Sequence, residues 1–417
     1  MKEQALVTMF GALRTPREIV FGAGQRSLLG TMTRELGVRA LICTDARMSA
    51  EPVFAAMVDR VRAAGVQTRV FDRTIAELPL DNVVSCVTGA MSFAPDVVIG
   101  IGGGSCLDLA KLSAVLLTHG GRLQDYYGEF KVPGRVLPII AVPTTAGTGS
   151  EATPVAVLGD PERTMKVGVA SPHLIPHTAI CDPELTYTCP PMLTAMAGAD
   201  ALTHAIEAFT ALRRTNTEDL VRQHVFIGKN TLSDHHALLA LKLIGRSLRR
   251  AVEHGTDQTA RHEMMLGALS AGLAFGTAGT AAAHAIQYPV GAVTKTPHGV
   301  GVALLMPYVM EFNKASCQSE LAQVAVALGV ADNETHEERL ADLAIAGVAD
   351  LFHAIGIPRT LEQLGLMHEQ QSWTAEQALT AQRLVKNNPR PLDLDGMIAI
   401  VEAAFIGERA GLAVLHR

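Results

Sequence analysis

Asp200 and His204 stand four residues apart in Gly198-Ala-Asp-Ala-Leu-Thr-His-Ala-Ile-Glu207, a stretch of strong helical character. That spacing stacks both side chains on one face of a helix. A carboxylate and an imidazole on an apolar, alanine-rich face are costly to bury unless a positive charge lies between them, and a divalent metal supplies one. Two further candidate ligands follow. His284, in Ala-Ala-Ala-His-Ala-Ile-Gln-Tyr-Pro, and His298, in Lys-Thr-Pro-His-Gly-Val-Gly, sit in weakly charged surroundings rather than in a solvated charge run. One carboxylate and three imidazoles would complete a coordination shell. Taken singly, each is better read as an exposed helix pair or a hydrogen-bonded core histidine; their conjunction with nucleotide-binding signals upstream is what favours a metal.

Those signals begin at Gly102-Gly-Gly-Ser105, which ends the strand-like Val97-Val-Ile-Gly-Ile101 and opens the helix-forming Cys106-Leu-Asp-Leu-Ala-Lys. Glycines let a backbone approach a pyrophosphate, and free N–H groups at a helix start favour its charge. A plain strand-to-helix turn fits the same residues, and the spacing departs from G-x-G-x-x-G at Ser105. Asp45, at the end of the strand Leu41-Ile-Cys-Thr44, could accept hydrogen bonds from ribose hydroxyls and repel a 2′-phosphate, favouring NAD over NADP; a helix cap or turn aspartate is the alternative. Pro143-Thr-Thr-Ala-Gly-Thr-Gly-Ser-Glu151 concentrates four hydroxyls in one loop, suited to phosphate and ribose oxygens. Lys166, in Thr164-Met-Lys-Val-Gly168, calls for an anionic partner if buried, or snorkels to solvent.

The elements that must hold these residues follow from pattern. Strand runs at 40–43, 68–71, 97–101, 137–142 and 177–181 alternate with helical runs at 52–64, 80–91 and from 106, which predicts βαβ units and a mainly parallel sheet that binds ligands at its carboxyl edge. Asp182-Pro183 and Pro190-Pro191 break regular structure, so the domain boundary is expected near residue 190. Beyond it the pattern is helical at 194–210, 233–254, 259–275, 299–313, 319–328, 337–355 and 395–405. Between the first two lies Leu212–Asp234, expected to be a partly exposed connection, with His235 and His236 as surface or cap residues.

With 417 residues the chain exceeds one ordinary core; 48% hydrophobic and 18% charged residues describe a well-buried globular protein. A net charge of −6 offers no basic footprint, which argues against nucleic acid and anionic membranes as partners. Six scattered cysteines form neither a C-x-x-C pair nor a dense framework, and Met1–Phe10 lacks the pattern of a signal peptide. A soluble cytoplasmic protein is expected.

The glycine loop through Asp108, the hydroxyl loop, Asp200-Ala-Leu-Thr-His-Ala-Ile-Glu207, the His284 segment, Pro297-His298-Gly299 and Asn388-Pro-Arg390 occur in this order over nearly the whole chain. Together they resemble the iron-containing (group III) alcohol dehydrogenases. The resemblance implies a dehydroquinate-synthase-like fold, with an α/β Rossmann-like dinucleotide domain over residues 1–190, an all-α metal-binding domain over 191–417, and the active site in the cleft between them. It implies Asp200, His204, His284 and His298 as ligands of Fe²⁺, or Zn²⁺ in some members. Asp45, Gly103, Gly104, Ser105, Asp108, Thr144, Thr145, Thr148, Ser150 and Lys166 fall at or near positions that contact NAD or NADP, alongside Gly102 of the same loop. A homodimer or larger homo-oligomer is implied as well.

Three positions depart from the family's pattern. Tyr288 and Tyr308 stand where histidine is common, and Ala197 where Ser, Thr or Gly is usual. An ordinary tyrosine, with a pKa of about 10, is a poor base at neutral pH, so a histidine-based proton relay is lost. Tyr288 is instead the catalytic candidate, positioning the substrate hydroxyl or relaying its proton. The expected activity is that of a metal-dependent NAD(P)-linked alcohol dehydrogenase or aldehyde reductase: the metal acidifies an alcohol, and hydride passes from the alkoxide to C4 of the nicotinamide. Tyrosine at position 288 also resembles the hydroxyacid-oxoacid transhydrogenase branch, which is the alternative. From a different class, a dehydroquinate-synthase-like lyase would need several cations around the metal motifs, where only Lys295 is close in sequence.

Overall fold

The computed structural model describes residues 9–163, 165–331 and 333–414. Most of the N-terminal segment read for targeting signals, and Thr164 of the strand-like segment before Gly168, lie outside the described residues. Nine strands occur among them: β1 Glu18–Phe21, β2 Arg39–Cys43, β3 Gln67–Phe71, β4 Val97–Gly102, β5 Gly128–Glu129, β6 Ile139–Pro143, β7 Val155–Leu158, β8 Val167–Ala170 and β9 Thr178–Cys181. Between them run α1 Leu29–Leu36, α2 Ala46–Ser49, α3 Pro52–Ala63, α4 Leu80–Met91 and α5 Gly104–His119.

Six strands form a parallel sheet in the order β1-β9-β6-β4-β2-β3. Both faces are covered, which explains the continuous apolar runs: Leu41 and Val98 pack into one core, while Ala40, Ile42, Val97, Ile99 and Ile101 pack into another. From β2 the chain passes to β3 on one side and then to β4 on the other. Neighbouring loops therefore diverge between β2 and β4, opening a crevice at the carboxyl ends of these strands. The sequence did not disclose a second sheet, β5-β8-β7, in which β7 and β8 are antiparallel. The strand-like segment at Lys166 belongs to it, with Lys166 just ahead of β8.

After β9 the chain is helical: α6 Pro191–Thr210, α7 Leu220–Gln223, α8 Thr231–Glu253, α9 Gln258–Ala278, α10 Ala282–Thr294, α11 His298–Asn313, α12 Gln318–Leu328, α13 Glu337–Ala354, α14 Gln371–Thr380, α15 Gln382–Val385 and α16 Leu394–Ile406. The change from sheet to helix falls between Cys181 and Pro191. One large core, built around alanines of α6, α8 and α9, fills this half.

Beyond the short α7 and α15, two helices of this half, α10 and α14, depart from the expected pattern. α10 was not predicted, because its Ala-rich start and the internal Pro289 mask a helical period, yet it carries His284 and Tyr288. The connection 212–234 is partly exposed, as expected: Leu212, Arg213, Thr231 and Leu232 lie at the surface while Val225 to Asn230 are buried. His235 is exposed and His236 half-buried on α8, as expected. Among the described residues no single helix is long and apolar enough to cross a membrane.

The two halves meet backbone to backbone. Gly149, at φ +61°, lies so close to α9 that an added Cβ would sit 2.5 Å from the Cα of Gly272, and a Cβ on Gly272 would sit 2.8 Å from the Cα of Gly149. Only paired glycines allow this approach, which pins the hydroxyl loop onto the helical half.

Candidate metal and nucleotide site

α6 presents Asp200, His204 and Glu207 on one face, at helical spacings of four and three residues. The Nε2 of His204 lies 3.7 Å from Asp200 Oδ1, and the Nε2 atoms of His284 and His298 each lie 3.8 Å from that same oxygen. The donor atoms of Asp200, His204 and His284 fall within 4.8 Å of one another. His298 approaches Asp200 Oδ1 but stands outside that mutual cluster, at its edge. The first three are buried and His298 is more open, its side chain 26% exposed.

Each candidate ligand arrives by a distinct local cause. The chain turns by 101° between α9 and α10, aiming the start of α10 at the face of α6. That start has no side-chain cap of its own. Glu207 caps it instead: its Oε2 accepts from Ala281 N at 2.8 Å and its Oε1 from Ala283 N at 2.8 Å, satisfying amides that any helix leaves unpaired and placing an anion at the positive end of the helix. The same Oε2 accepts from His284 Nδ1 at 2.6 Å, which leaves the other ring nitrogen to face Asp200. His298 opens α11, where a Cβ on the next residue, Gly299, would meet the carbonyl oxygen of Met196 at 2.3 Å, so α11 abuts α6 directly. His204 is held flat against Phe275, ring centroids 4.1 Å apart.

The donor set fits a divalent cation. Ligands about 2.1 Å from a tetrahedral ion lie roughly 3.4 Å apart, near the 3.7 to 3.8 Å between Asp200 Oδ1 and each of the three imidazole nitrogens. Asp200 Oδ1 and His284 Nε2 are buried without a hydrogen-bond partner among the described residues, an arrangement that is costly without a cation between them. Burial pushes the Asp200 carboxyl up to about 6 and holds His204 and His298 well below the ordinary imidazole range, with the neighbouring His284 adding to the effect on both imidazoles. Neutral imidazoles are the form that binds metal. Glu207 had no assigned role in the sequence reading. The signal was available, since seven residues after Asp200 is the same helical face.

The nucleotide-binding candidates gather at the crevice between β2 and β4. Gly102 ends β4, Gly103 precedes α5 without a side-chain cap, and Gly104 and Ser105 begin that helix, leaving first-turn amides open to an anion. Thr145 and Thr148 lie against Gly103 and Gly104. Thr144 ends up buried with its hydroxyl unpartnered among the described residues. Asp45 caps α2, accepting from Met48 N at 2.8 Å through Oδ1, while its Oδ2 lies 3.5 Å from Cys106 Sγ beside the glycine loop. Cap and crevice positions coincide in one residue.

Asp108 and Ser150 stand behind the loops. Ser150 Oγ donates to Asp108 Oδ1 at 2.7 Å, and Val157 N donates to Oδ2 at 2.9 Å, which ties the hydroxyl loop to α5 and β7. Lys111, fully buried below, donates to Thr153 O at 2.9 Å and Val155 O at 2.8 Å. Lys166 lines the cavity that Tyr288 borders, within the electrostatic reach of Asp200. It pairs with Glu77, and burial brings its pKa down to about 8 against the opposing pull of Asp200.

Tyr288, one turn after His284, has its ring 6.4 Å from that of His298 and borders a cavity of about 440 Å³. Tyr308 is elsewhere: its hydroxyl donates to Arg359 O at 2.6 Å, away from the ligand cluster. Ala197 packs against Gly147 of the hydroxyl loop.

A profile for iron-containing alcohol dehydrogenases matches residues 16–183, and one for the C-terminal part of the Fe-containing alcohol dehydrogenase family matches 194–405. Long-chain-alcohol dehydrogenase 1 of Geobacillus thermodenitrificans is 36% identical over 390 residues, covering 93% of this chain and 94% of that protein. A crystal structure of 1,3-propanediol oxidoreductase superimposes with a TM-score of 0.88 at 32% identity, over 95% of this chain and 100% of that one. A sulfoacetaldehyde reductase from Bifidobacterium kashiwanohense, solved in complex with NAD⁺, gives a TM-score of 0.79 at 27% identity, over 97% and 100%. Fold, converging ligands and matches along both halves agree, and the chain belongs to the iron-containing alcohol dehydrogenase family, oxidoreductases that act on alcohols.

Proposed function

We propose that this chain is a metal-dependent, NAD(P)-linked alcohol dehydrogenase that also reduces the corresponding aldehyde or ketone. The observation that carries this reading is the convergence of three imidazole nitrogens on one unpartnered buried oxygen of Asp200, beside a cavity bordered by Tyr288. Asp200, His204, His284 and His298 would hold Fe²⁺, or Zn²⁺, which when bound supplies Lewis acidity toward a substrate oxygen. Glu207 keeps His284 in the tautomer whose free nitrogen faces Asp200. Gly102, Gly103, Gly104 and Ser105 offer amides to a pyrophosphate, and the half-buried Thr145 and Thr148 offer hydroxyls, with Thr144 enclosed beneath them; Asp108 and Ser150 brace that loop from behind. Lys166, paired with Glu77, is a further candidate contact for the cofactor. The relatives' named substrates, a long-chain alcohol and sulfoacetaldehyde, differ too much to fix this chain's own.

Burial raises the pKa of Tyr288 above its ordinary value, with Arg383 opposing and the nearby carboxylates adding. Its hydroxyl therefore stays protonated at neutral pH and serves as a hydrogen-bond donor to the substrate oxygen rather than as a base. Tyr288→Phe is expected to lower kcat/KM about 10-fold, the worth of one hydrogen bond, at a similar factor from pH 6 to 9. A loss confined to the basic limb would assign it proton transfer instead.

Asp45 sets cofactor choice in this reading. Asp45→Ser keeps a capping oxygen for α2 and removes the charge. The ratio of kcat/KM for NADP⁺ over NAD⁺ is expected to rise about 10-fold. An unmoved ratio would leave Asp45 as a cap alone.

The reading also includes a reduced cytoplasmic setting, supported by six cysteines without a pairing framework, and a homodimer or larger assembly, which light scattering measures. The test of the whole is steady NADH formation from primary alcohols and 2- or 4-hydroxyacids by metal-analysed protein. No NADH from any of them after loading with Fe²⁺ or Zn²⁺ would sink it. NADH formed only when an oxoacid is withheld would favour a transhydrogenase.

A further inference from the structure

The cavity beside Tyr288 is bounded by β5, β7 and β8 on one side and by residues Ala381 to Leu384 on the other. Its volume suits a small substrate. The sequence around Asp200 and His284 holds few cations, and the nearest, Lys295, is exposed and turns its ammonium to Ala292 O. Folding supplies cations from elsewhere: Arg163, Lys166 and Arg383 all line the cavity, against one carboxylate, Glu129. That carboxylate is engaged, accepting from Val225 N at 2.8 Å. Lys166 has Glu77.

Arg383 is different. It is half-buried in α15, its guanidinium stacked over Phe226 at 4.3 Å from the ring centroid. Among the described residues it has no hydrogen-bonded or ion-paired carboxylate. Stacking fixes the plane of the fork and leaves its N–H edge free, the arrangement that recognises a planar or tetrahedral oxyanion by two parallel hydrogen bonds. A partly desolvated cation without a counter-ion gains most from a ligand that brings one.

We propose that the cavity receives the far end of an alcohol carrying an anionic group, a carboxylate or sulfonate, and that Arg383 is the specificity-determining contact. The proposal rests on the dehydrogenase reading for its chemistry, since Tyr288 at the cavity wall sets the hydroxyl end toward the ligand cluster. Arg163 and Lys166 add field of the same sign, while Phe226 holds the guanidinium in place.

The experiment compares 4-hydroxybutanoate and 2-hydroxyethanesulfonate with 1-butanol, on holoenzyme with NAD⁺, in wild type, Arg383→Gln and Arg383→Lys. Wild type is expected to favour at least one anionic alcohol over 1-butanol by about 10- to 100-fold in kcat/KM, mostly through KM, as a charged hydrogen-bond pair provides. Arg383→Gln should collapse that ratio by a similar factor, and Arg383→Lys should restore part of it, keeping charge without the fork. Which of the two anions is favoured separates carboxylate from sulfonate. Calorimetry with unreactive butanoate and propane-1-sulfonate on the NAD⁺-bound enzyme reads the same contact without turnover, and NADH fluorescence titration reads the cofactor. If wild type oxidises 1-butanol but shows no anion preference and binds neither probe, this inference falls and the dehydrogenase reading stands. If either probe binds through Arg383 while no alcohol is oxidised, the reverse holds. Arg383→Gln weakening NADH as much as substrate would make it a cofactor contact and overturn the proposal.

Discussion

His284→Ala is expected to empty the metal site and lower kcat/KM by at least about 10³-fold, because Lewis-acid stabilisation of a developing oxyanion is worth several kcal/mol and each 1.4 kcal/mol is a factor of ten. The imidazole provides one of three nitrogens that face Asp200 Oδ1, and its removal leaves Glu207 without the ring it orients. Asp200→Asn tests the charge while keeping the shape. It should lose metal as well, because the oxygen shared by all three imidazoles would no longer carry a negative charge. Metal content per chain after gel filtration, read beside the rate, is the measurement; circular dichroism melting confirms the fold. A variant that keeps stoichiometric metal and full rate would place the ion elsewhere.

The second large effect is expected at Glu207, which touches none of the reacting atoms. Glu207→Gln keeps the shape but turns an amide NH₂ toward donors, either Ala283 N or the pair formed by Ala281 N and His284 Nδ1. Loss of such an orienting partner typically costs 10- to 100-fold in metal affinity or activity, so metal affinity by chelator competition should fall by about that factor, with excess metal restoring much of kcat. Glu207→Ala strands three buried donors, each worth about 1–3 kcal/mol when unsatisfied. It should lower Tm by several degrees as well. If Glu207→Gln binds metal as wild type does, the residue serves only as the cap of α10.

The Glu207 network shows why part of the site was legible in sequence and part was not. Asp200 to His204 is a spacing set by one helix, so the pair could be read directly. The hydrogen bond from His284 to Glu207 spans 77 residues, and α10, which brings His284, was hidden by its own composition and by Pro289. Glycine and hydroxyl loops were readable as chemistry because their residue types speak for themselves. Their division of labour was not: Asp108 and Ser150 bond to each other behind the loop, and nothing in their spacing says so. Cations tell the same story, since counting them near Asp200 and His284 found Lys295, while Arg163, Lys166 and Arg383 arrive through packing.

What the sequence determined by itself was whatever short-range rules encode: alternation of strand and helix, the helix-rich second half, the crevice loops, and the identity of four side chains suited to a cation. The tertiary structure decided the rest. It chose the parallel order that parts the loops between β2 and β4, the glycine contact of Gly149 with Gly272 that seats one half on the other, and the sharp turn into α10 that lets a single carboxylate both cap a helix and aim a ligand. Such choices depend on which distant surfaces pack together, and no local period in a chain records its partner across the fold.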